Sequence, residues 1–174
     1  MISINAIINK NLTDIYYYKN IFCLNFGLNV ISKYDNNCEM FSKYSLDIQC
    51  PYRFILNNKI ILASYDISKR FQKNFDDAAE NTIFDEIVKK IFLPLLPLKI
   101  IHIKISNFGD IEIIFENKMI FQTFIDSSQE VEHWRLSDET KDFKEDLVFF
   151  KEEKKFAEKS KNYTWIEAHL PRNL

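Results

Sequence analysis

The stretch Tyr52-Arg53-Phe54-Ile55-Leu56-Asn57-Asn58-Lys59-Ile60-Ile61-Leu62-Ala63-Ser64-Tyr65 decides how the rest of the chain is read. Two runs rich in β-branched and aromatic residues flank Asn57-Asn58, and a two-residue gap between such runs favours a primed hairpin turn. Asparagine tolerates the left-handed backbone that such a turn needs. The segment therefore predicts strands over Tyr52 to Leu56 and Lys59 to Tyr65, joined tightly.

Similar punctuation appears on both sides. Upstream, Asp14 to Tyr18 and Ile21 to Phe26 flank Lys19-Asn20 as a second hairpin, and Leu28 to Tyr34 is a third strand candidate ending at Asp35-Asn36-Asn37. Tyr44 to Cys50 alternates polar and apolar residues, the signature of a half-buried strand. Downstream, Lys99 to Ser106 places Ile101, Ile103 and Ile105 on one face, with His102 and Lys104 on the other. A turn through Asn107-Phe108-Gly109-Asp110 leads to Ile111 to Phe115, then Glu116-Asn117, then Lys118 to Ile125, a meander. Phe54 to Leu62 aligns with Ile113 to Phe121 at a constant offset of 59, apolar strand, turn, lysine and apolar strand in each. Two hairpins share such features without common descent, so a true duplication stays open.

One helix is expected at about 82–93. Phe84, Ile87, Val88, Ile91 and Phe92 recur at helical spacing and make it amphipathic, with Asp85, Glu86, Lys89 and Lys90 opposite. Thr82 and Asp85 resemble a capping box, and Pro94 is read as its stop. The region Asp138 to Lys161 carries Phe143, Leu147 and Phe150 at helical spacing, while Leu147-Val148-Phe149-Phe150 also reads as a strand; a C-terminal helix through Phe156 is preferred. Tyr163 to Leu170 returns as a candidate edge strand.

The fold class that follows is α+β, mainly antiparallel sheet built from hairpins with that one helix packed on it, in a single domain over 1–174. A chain of 174 residues buries about 70% of the surface its unfolded form exposes, so no disulfide or structural metal is needed to fold it. There are only two glycines, Gly27 and Gly109, which excludes phosphate-cradling loops and a nucleophile elbow. Asparagine is expected to take the turns instead, at Asn20, Asn37, Asn58 and Asn117, with Gly109 the exception.

Composition narrows the class further. Lys plus Arg number 23 against 25 Asp plus Glu, a net charge of −2 that is too balanced for general attraction to nucleic acid or membrane. Two acidic stretches stand out, 76–86 and 130–146; they read as solvated turns beside helices or as a face for a basic partner. Cys23, Cys38 and Cys50 are odd in number with no C-x-x-C pair, which fits reduced thiols; Cys23 reads as a small core residue and Cys50 as a strand-junction one. His102, His133 and His169 are scattered singly, so no metal and no cofactor are expected. The first ten residues lack a basic n-region and a cleavage site, and Ile91 to Leu98 is too short and proline-broken to span a bilayer. A soluble, cytoplasmic protein is the expectation.

Candidate chemistry is sparse. Asp110 with Glu116-Asn117-Lys118 mimics the carboxylate and lysine set of metal-dependent nucleases, yet Glu116-Asn117 reads more simply as a hairpin turn. Ser64 and Ser127 follow strands outside any nucleophile motif, and His102 reads as a solvated strand residue. In Asp126-Ser127-Ser128-Gln129-Glu130-Val131-Glu132-His133-Trp134-Arg135-Leu136, Trp134 and Arg135 are residue types enriched at binding hot spots, although a tryptophan covering the sheet and an ion-paired arginine explain the segment equally well.

Leu62-Ala63-Ser64-Tyr65-Asp66-Ile67, then Gly109-Asp110 before Ile111-Glu112-Ile113 and Phe115-Glu116-Asn117, then Glu132-His133-Trp134-Arg135-Leu136, resemble small bacterial immunity proteins of polymorphic-toxin and contact-dependent inhibition systems. The resemblance covers about residues 50–136. It implies a non-enzymatic cytoplasmic protein that binds and neutralises one cognate protein toxin, and it implies no set of binding residues. Charge adds the expectation that the toxin is a basic protein such as a nuclease, met by Asp76, Asp77, Glu80, Glu130, Glu132, Trp134 and Arg135. Direct contact with nucleic acid or membrane is not expected, and oligomeric state is left open. The alternative is a small metal-dependent nuclease or other hydrolase using Asp110, Glu116 and Lys118.

Overall fold

The computed structural model describes residues 2–34, 37–67, 82–127, 129, 131–140 and 146–150. Within them the hairpin signals become strands. β1 (Asn11–Tyr18) and β2 (Ile21–Tyr34) turn at Lys19-Asn20, and β3 (Asn37–Ile48) returns along β2. β4 (Tyr52–Leu56) and β5 (Lys59–Ala63) form the hairpin about Asn57-Asn58, followed by a short 3-10 turn, Ser64–Ile67. β6 (Leu98–Ile105), β7 (Ile111–Phe115) and β8 (Ile120–Thr123) make the meander, and β9 (Glu132–Asp138) and β10 (Leu147–Phe150) close the described chain.

All ten strands join one antiparallel sheet in the order β10-β9-β3-β2-β1-β6-β7-β8-β4-β5. The join in the middle is narrow. β1 meets β6 only at Asn11↔Lys99 and Leu12↔Leu98, extended by the Asn9 amide donating to Ile100 O and the Ile100 amide donating to Lys10 O. A second corner lies at Cys50-Pro51, where the chain leaves β3 for β4 and the Phe124 amide donates to Pro51 O. The sheet thus bends into two five-stranded halves that enclose one apolar core. Phe22 of β2 stacks on Tyr52 of β4 with centroids 4.1 Å apart and reaches Phe121 of β8 at 6.3 Å; Phe54 meets Phe121 at 4.8 Å. Each such fully buried side chain contributes about 1.5–3 kcal/mol relative to exposure.

The helix expected at about 82–93 is present, but its α structure is interrupted by a π turn. It runs through α1 (Ile83–Ile87), a π turn (Val88–Phe92) and α2 (Leu93–Leu95). The capping box is present: the Asp85 amide donates to Thr82 Oγ1 and the Thr82 amide to Asp85 Oδ2. Pro94 does not stop the helix, which ends only at Leu95. The wide π register immediately before it relieves the clash of the proline ring with the preceding turn. Phe84 and Phe92 are buried, with Ile87, Val88 and Ile91 against the core, while Lys89 and Lys90 are exposed and Lys90 pairs with Glu86.

Several local expectations are corrected. Leu28 to Tyr34 is no separate strand: β2 continues through a bulge between Phe26 and Asn29, where Gly27 takes φ +89°. The left-handed turn positions fall on Lys19, on both Asn57 and Asn58, and on Lys118, and Asn20 and Asn117 lack positive φ; Asn37 begins β3. A bulge between Ile100 and His102 throws Ile101 outward, half-exposed at 51%, so only Ile103 and Ile105 of the expected trio face the core. Leu147 to Phe150, assigned to a C-terminal helix, is a strand paired to β9, because its four apolar residues are matched by Leu136, Arg135, Trp134 and Glu132 across the ladder. The rest of that expected helix and the candidate edge strand Tyr163 to Leu170 lie outside the described residues.

Candidate interaction face

Of the residues that the sequence points to for partner contact, Glu132, Trp134 and Arg135 are among the described ones. Asp76, Asp77, Glu80 and Glu130 lie outside the described residues. Trp134 is fully buried on the inner face of β9. Its indole Nε1 donates to Gly109 O at 2.8 Å, and its ring stacks on Phe149 of β10 at 5.5 Å and 12°. Gly109, at φ +94°, lies so close under Phe149 that a Cβ there would overlap the ring. Trp134, Phe149 and Gly109 therefore form a packed clamp between the two halves of the sheet.

Glu132 and Arg135 are engaged with their own chain. The Arg135 guanidinium donates through Nη2 and Nε to the Glu132 carboxylate at 2.6 and 3.1 Å, and through Nη1 to Asp146 at 3.3 Å. Gln49 Nε2 adds a further donor to Glu132 at 2.8 Å. Asp146 is nearly inaccessible and Arg135 only slightly less buried, so these charges fasten β9 to β10 and β3. In the same cross-strand row, Arg135 opposes Asp47, Asp47 opposes Cys23 and Cys23 opposes Tyr16. Burial pushes the Cys23 thiol up to about 12, with the Asp47 charge and hydrogen bond adding to the shift. Cys23 is buried here beside polar neighbours, outside the apolar cluster; Cys50 is buried at the β3–β4 corner, its thiol raised to about 11 chiefly by desolvation.

The carboxylate and lysine set is likewise dispersed. Asp110 and Glu116 bracket β7, six residues and so roughly 20 Å apart. Asp110 Oδ1 accepts from the Ile125 amide at 2.7 Å and Oδ2 from Ser106 Oγ at 2.9 Å. Glu116 Oε1 accepts from the Lys99 amide at 3.3 Å, and Lys118 occupies the left-handed position of the turn. Among the described residues no group of three or more His, Cys, Asp or Glu is arranged to hold a metal ion. Ser64 Oγ accepts from the Tyr52 amide at 2.6 Å and donates back to Tyr52 O, and Ser127 Oγ accepts from the Gln129 amide, so both hydroxyls serve their turns.

A different surface emerges from the strand registers. On the outer face of β6-β7-β8-β4-β5, His102 opposes Ile114, Ile114 opposes Ile120, Ile120 opposes Ile55 and Ile55 opposes Ile60. The four isoleucines lie in one line across four strands, with His102 extending it to a fifth. At about 4.8 Å per strand the row is about 19 Å long. Phe54, Phe121, Ile113 and Ile103 occupy the alternate positions and face the core, which fixes the row as outward-pointing. Ile60 is 59% exposed, His102 is exposed, and the row's other members are half-buried by one another.

Beside this row runs a polar one. Lys104, Glu112, Gln122 and Arg53 are cross-strand neighbours, with Arg53 Nε donating to Gln122 Oε1 at 2.9 Å and Gln122 Nε2 to Glu112 Oε2 at 2.7 Å. Arg53 also lies over the Phe124 ring at 4.7 Å. Sequence reasoning missed this face because Ile55, Ile60, Ile114 and Ile120 sit in wholly apolar runs, in which period-2 patterning carries no sidedness. No family model, curated protein or solved structure gives a significant match. No helix among the described residues is long and apolar enough to cross a membrane.

Proposed function

We propose that this chain is a non-enzymatic binding protein of the immunity type, which neutralises a cognate protein toxin by covering part of its surface. The observation that supports the reading is the outward isoleucine row Ile60-Ile55-Ile120-Ile114, an apolar line on a hydrogen-bonded sheet, edged by the ordered polar ladder of Arg53, Gln122 and Glu112. An apolar centre bordered by polar groups is the arrangement by which protein interfaces gain affinity and keep orientation. Strands fix these side chains in place before a partner arrives, which lowers the ordering cost of binding.

The free, buried thiols of Cys23 and Cys50 fit work in the reducing cytoplasm. The nuclease alternative draws little support from carboxylates at opposite ends of β7 that are already bonded to backbone. The test is co-expression with the toxin domain encoded beside this chain: survival of the host and co-purification of a stoichiometric complex are expected. Cells that die at the same rate with and without this chain would refute the neutralising role.

A further inference from the structure

We infer that the outer face of β6, β7, β8, β4 and β5 is closed in the free chain by a second copy of itself, packed about a two-fold axis that runs along β8. This goes beyond the toxin-neutralising reading and needs no toxin. The strand order in this half is β6-β7-β8-β4-β5, so β8 is central with two strands on each side. Rotation about β8 sets β7 against β4 of the second copy, and β6 against its β5. An isologous interface of this kind requires a patch that is complementary to its own image.

The polar ladder is such a patch. Gln122 lies on β8, with Glu112 on β7 to one side and Arg53 on β4 to the other, one charge of each sign a single strand from the axis. The rotation brings each Glu112 over Arg53 of the second copy, twice per dimer. Stacked sheets lie about 10 Å apart with strands within about 30° of one another, a gap that an arginine and a glutamate reach across together. Both groups have capacity left for the crossing pair. Among the described residues, hydrogen bonds engage only Nε of Arg53 and only Oε2 of Glu112. The guanidinium keeps both Nη groups and the carboxylate keeps Oε1. Lys104, next to Glu112 in the row, falls against the small Ala63 of the second copy, so no like charges are directly opposed.

The apolar row obeys the same symmetry. Ile120 meets itself on the axis, Ile114 meets Ile55, and His102 meets Ile60 at either end. Phe124, next but one after Gln122, is exposed on the same face beneath the Arg53 guanidinium and also meets its own copy at the axis. The face is about 24 Å across its strands and about 20 Å along them, and so buries about 1,000 Å² over two copies, near the lower end of specific interfaces. The association is accordingly weak and exchanging, and a tighter-binding partner displaces the second copy.

The experiment is sedimentation velocity on the full chain from low micromolar concentration to about 1 mM. A concentration-dependent monomer–dimer equilibrium is expected. Glu112→Arg and Arg53→Glu should each weaken it about tenfold or more, because the symmetry counts every change twice. An equimolar mixture of the two variants should dimerise again, since each crossing pair then joins opposite charges. Loss of fold in either variant cannot produce that recovery. A chain that stays monomeric at about 1 mM, association unchanged in either variant, or a mixture no tighter than its components would each overturn the inference. Dimerisation without protection from the toxin overturns the neutralising role alone, and protection by a strictly monomeric chain overturns the symmetric closure alone.

Discussion

Replacing Gly109 by alanine tests the clamp that holds the two halves of the sheet together. Two costs add. An L-residue at φ +94° meets a steric penalty of about 1–2 kcal/mol. The new methyl group also overlaps the Phe149 ring, and overpacking of this kind costs about 1–3 kcal/mol. Relief by moving the ring is resisted, because Phe149 stacks on Trp134, whose Nε1 is bonded to the carbonyl of the same glycine. A total of about 2–5 kcal/mol follows, which in a domain of this size lowers the melting temperature by about 10 °C. The assay is urea unfolding of wild type, Gly109→Ala, Phe149→Ala and the double variant. Phe149→Ala alone costs about 3–5 kcal/mol through the cavity it leaves. In that background the overlap is gone and only the backbone penalty of Gly109→Ala remains, so the two changes should be coupled by about 2 kcal/mol. Strict additivity, or a single-variant cost under about 0.5 kcal/mol, would show that Gly109 does not carry the ring and would refute the reasoning.

The neighbouring groups make further predictions. Asp110→Asn weakens the acceptors for the Ile125 amide and Ser106 Oγ and should cost about 1–2 kcal/mol in chemical denaturation, through stability alone. Arg135→Ala removes the guanidinium from Glu132 and Asp146 in a largely buried place and should cost about 3 kcal/mol, and Arg135→Met, which restores the apolar stem but not the charge, should cost nearly as much; a Met variant close to wild type in stability would refute the ion-pair account. Cys23 and Cys50 have thiol pKa values raised to about 12 and about 11, so the folded chain holds these protons more tightly than the unfolded one. Their contribution is complete below the unfolded thiol pKa and is lost as pH rises through the folded values. The urea midpoint should therefore fall from about pH 9 upward, and Cys23→Ala with Cys50→Ala should flatten that fall.

What could be read in the residues was whatever local chemistry determines. Asn57-Asn58 gave a two-residue turn because both residues accept positive φ, and Thr82 with Asp85 gave the cap because its bonds close within one turn. Lys19 and Lys118 take left-handed positions for which lysine has no preference, so their turn geometry is imposed by the strands on either side. The paired segments at offset 59 show how far equal patterns diverge. Phe54↔Leu62 and Ile113↔Phe121 are equivalent pairs, but the first hairpin places its extra residue at Ile61 within the strand and the second within the turn ending at Lys118. Trp134 could face either way until its register against Ile48 and Phe149 was set by β3 and β10. Sidedness is a property of pairing, and pairing between β4 and β8 joins segments some 70 residues apart in sequence.

That sidedness separates the residues of the proposed recognition face from those that hold the fold. Ile55, Ile60, Ile114 and Ile120 are absent from the core cluster, whereas their immediate neighbours Phe54, Ile61, Ile113 and Phe121 belong to it or pack against it. Exchange of an outer residue changes the solvent face while leaving the aromatic packing of Phe22, Tyr52, Phe54 and Phe121 in place. The β-branched side chains of the row have few rotamers to lose on binding, and their backbone is already held by four ladders, so the entropy lost on association is small. The Gly109, Trp134 and Phe149 clamp and the Arg135 ion pairs hold the sheet that presents this solvent face.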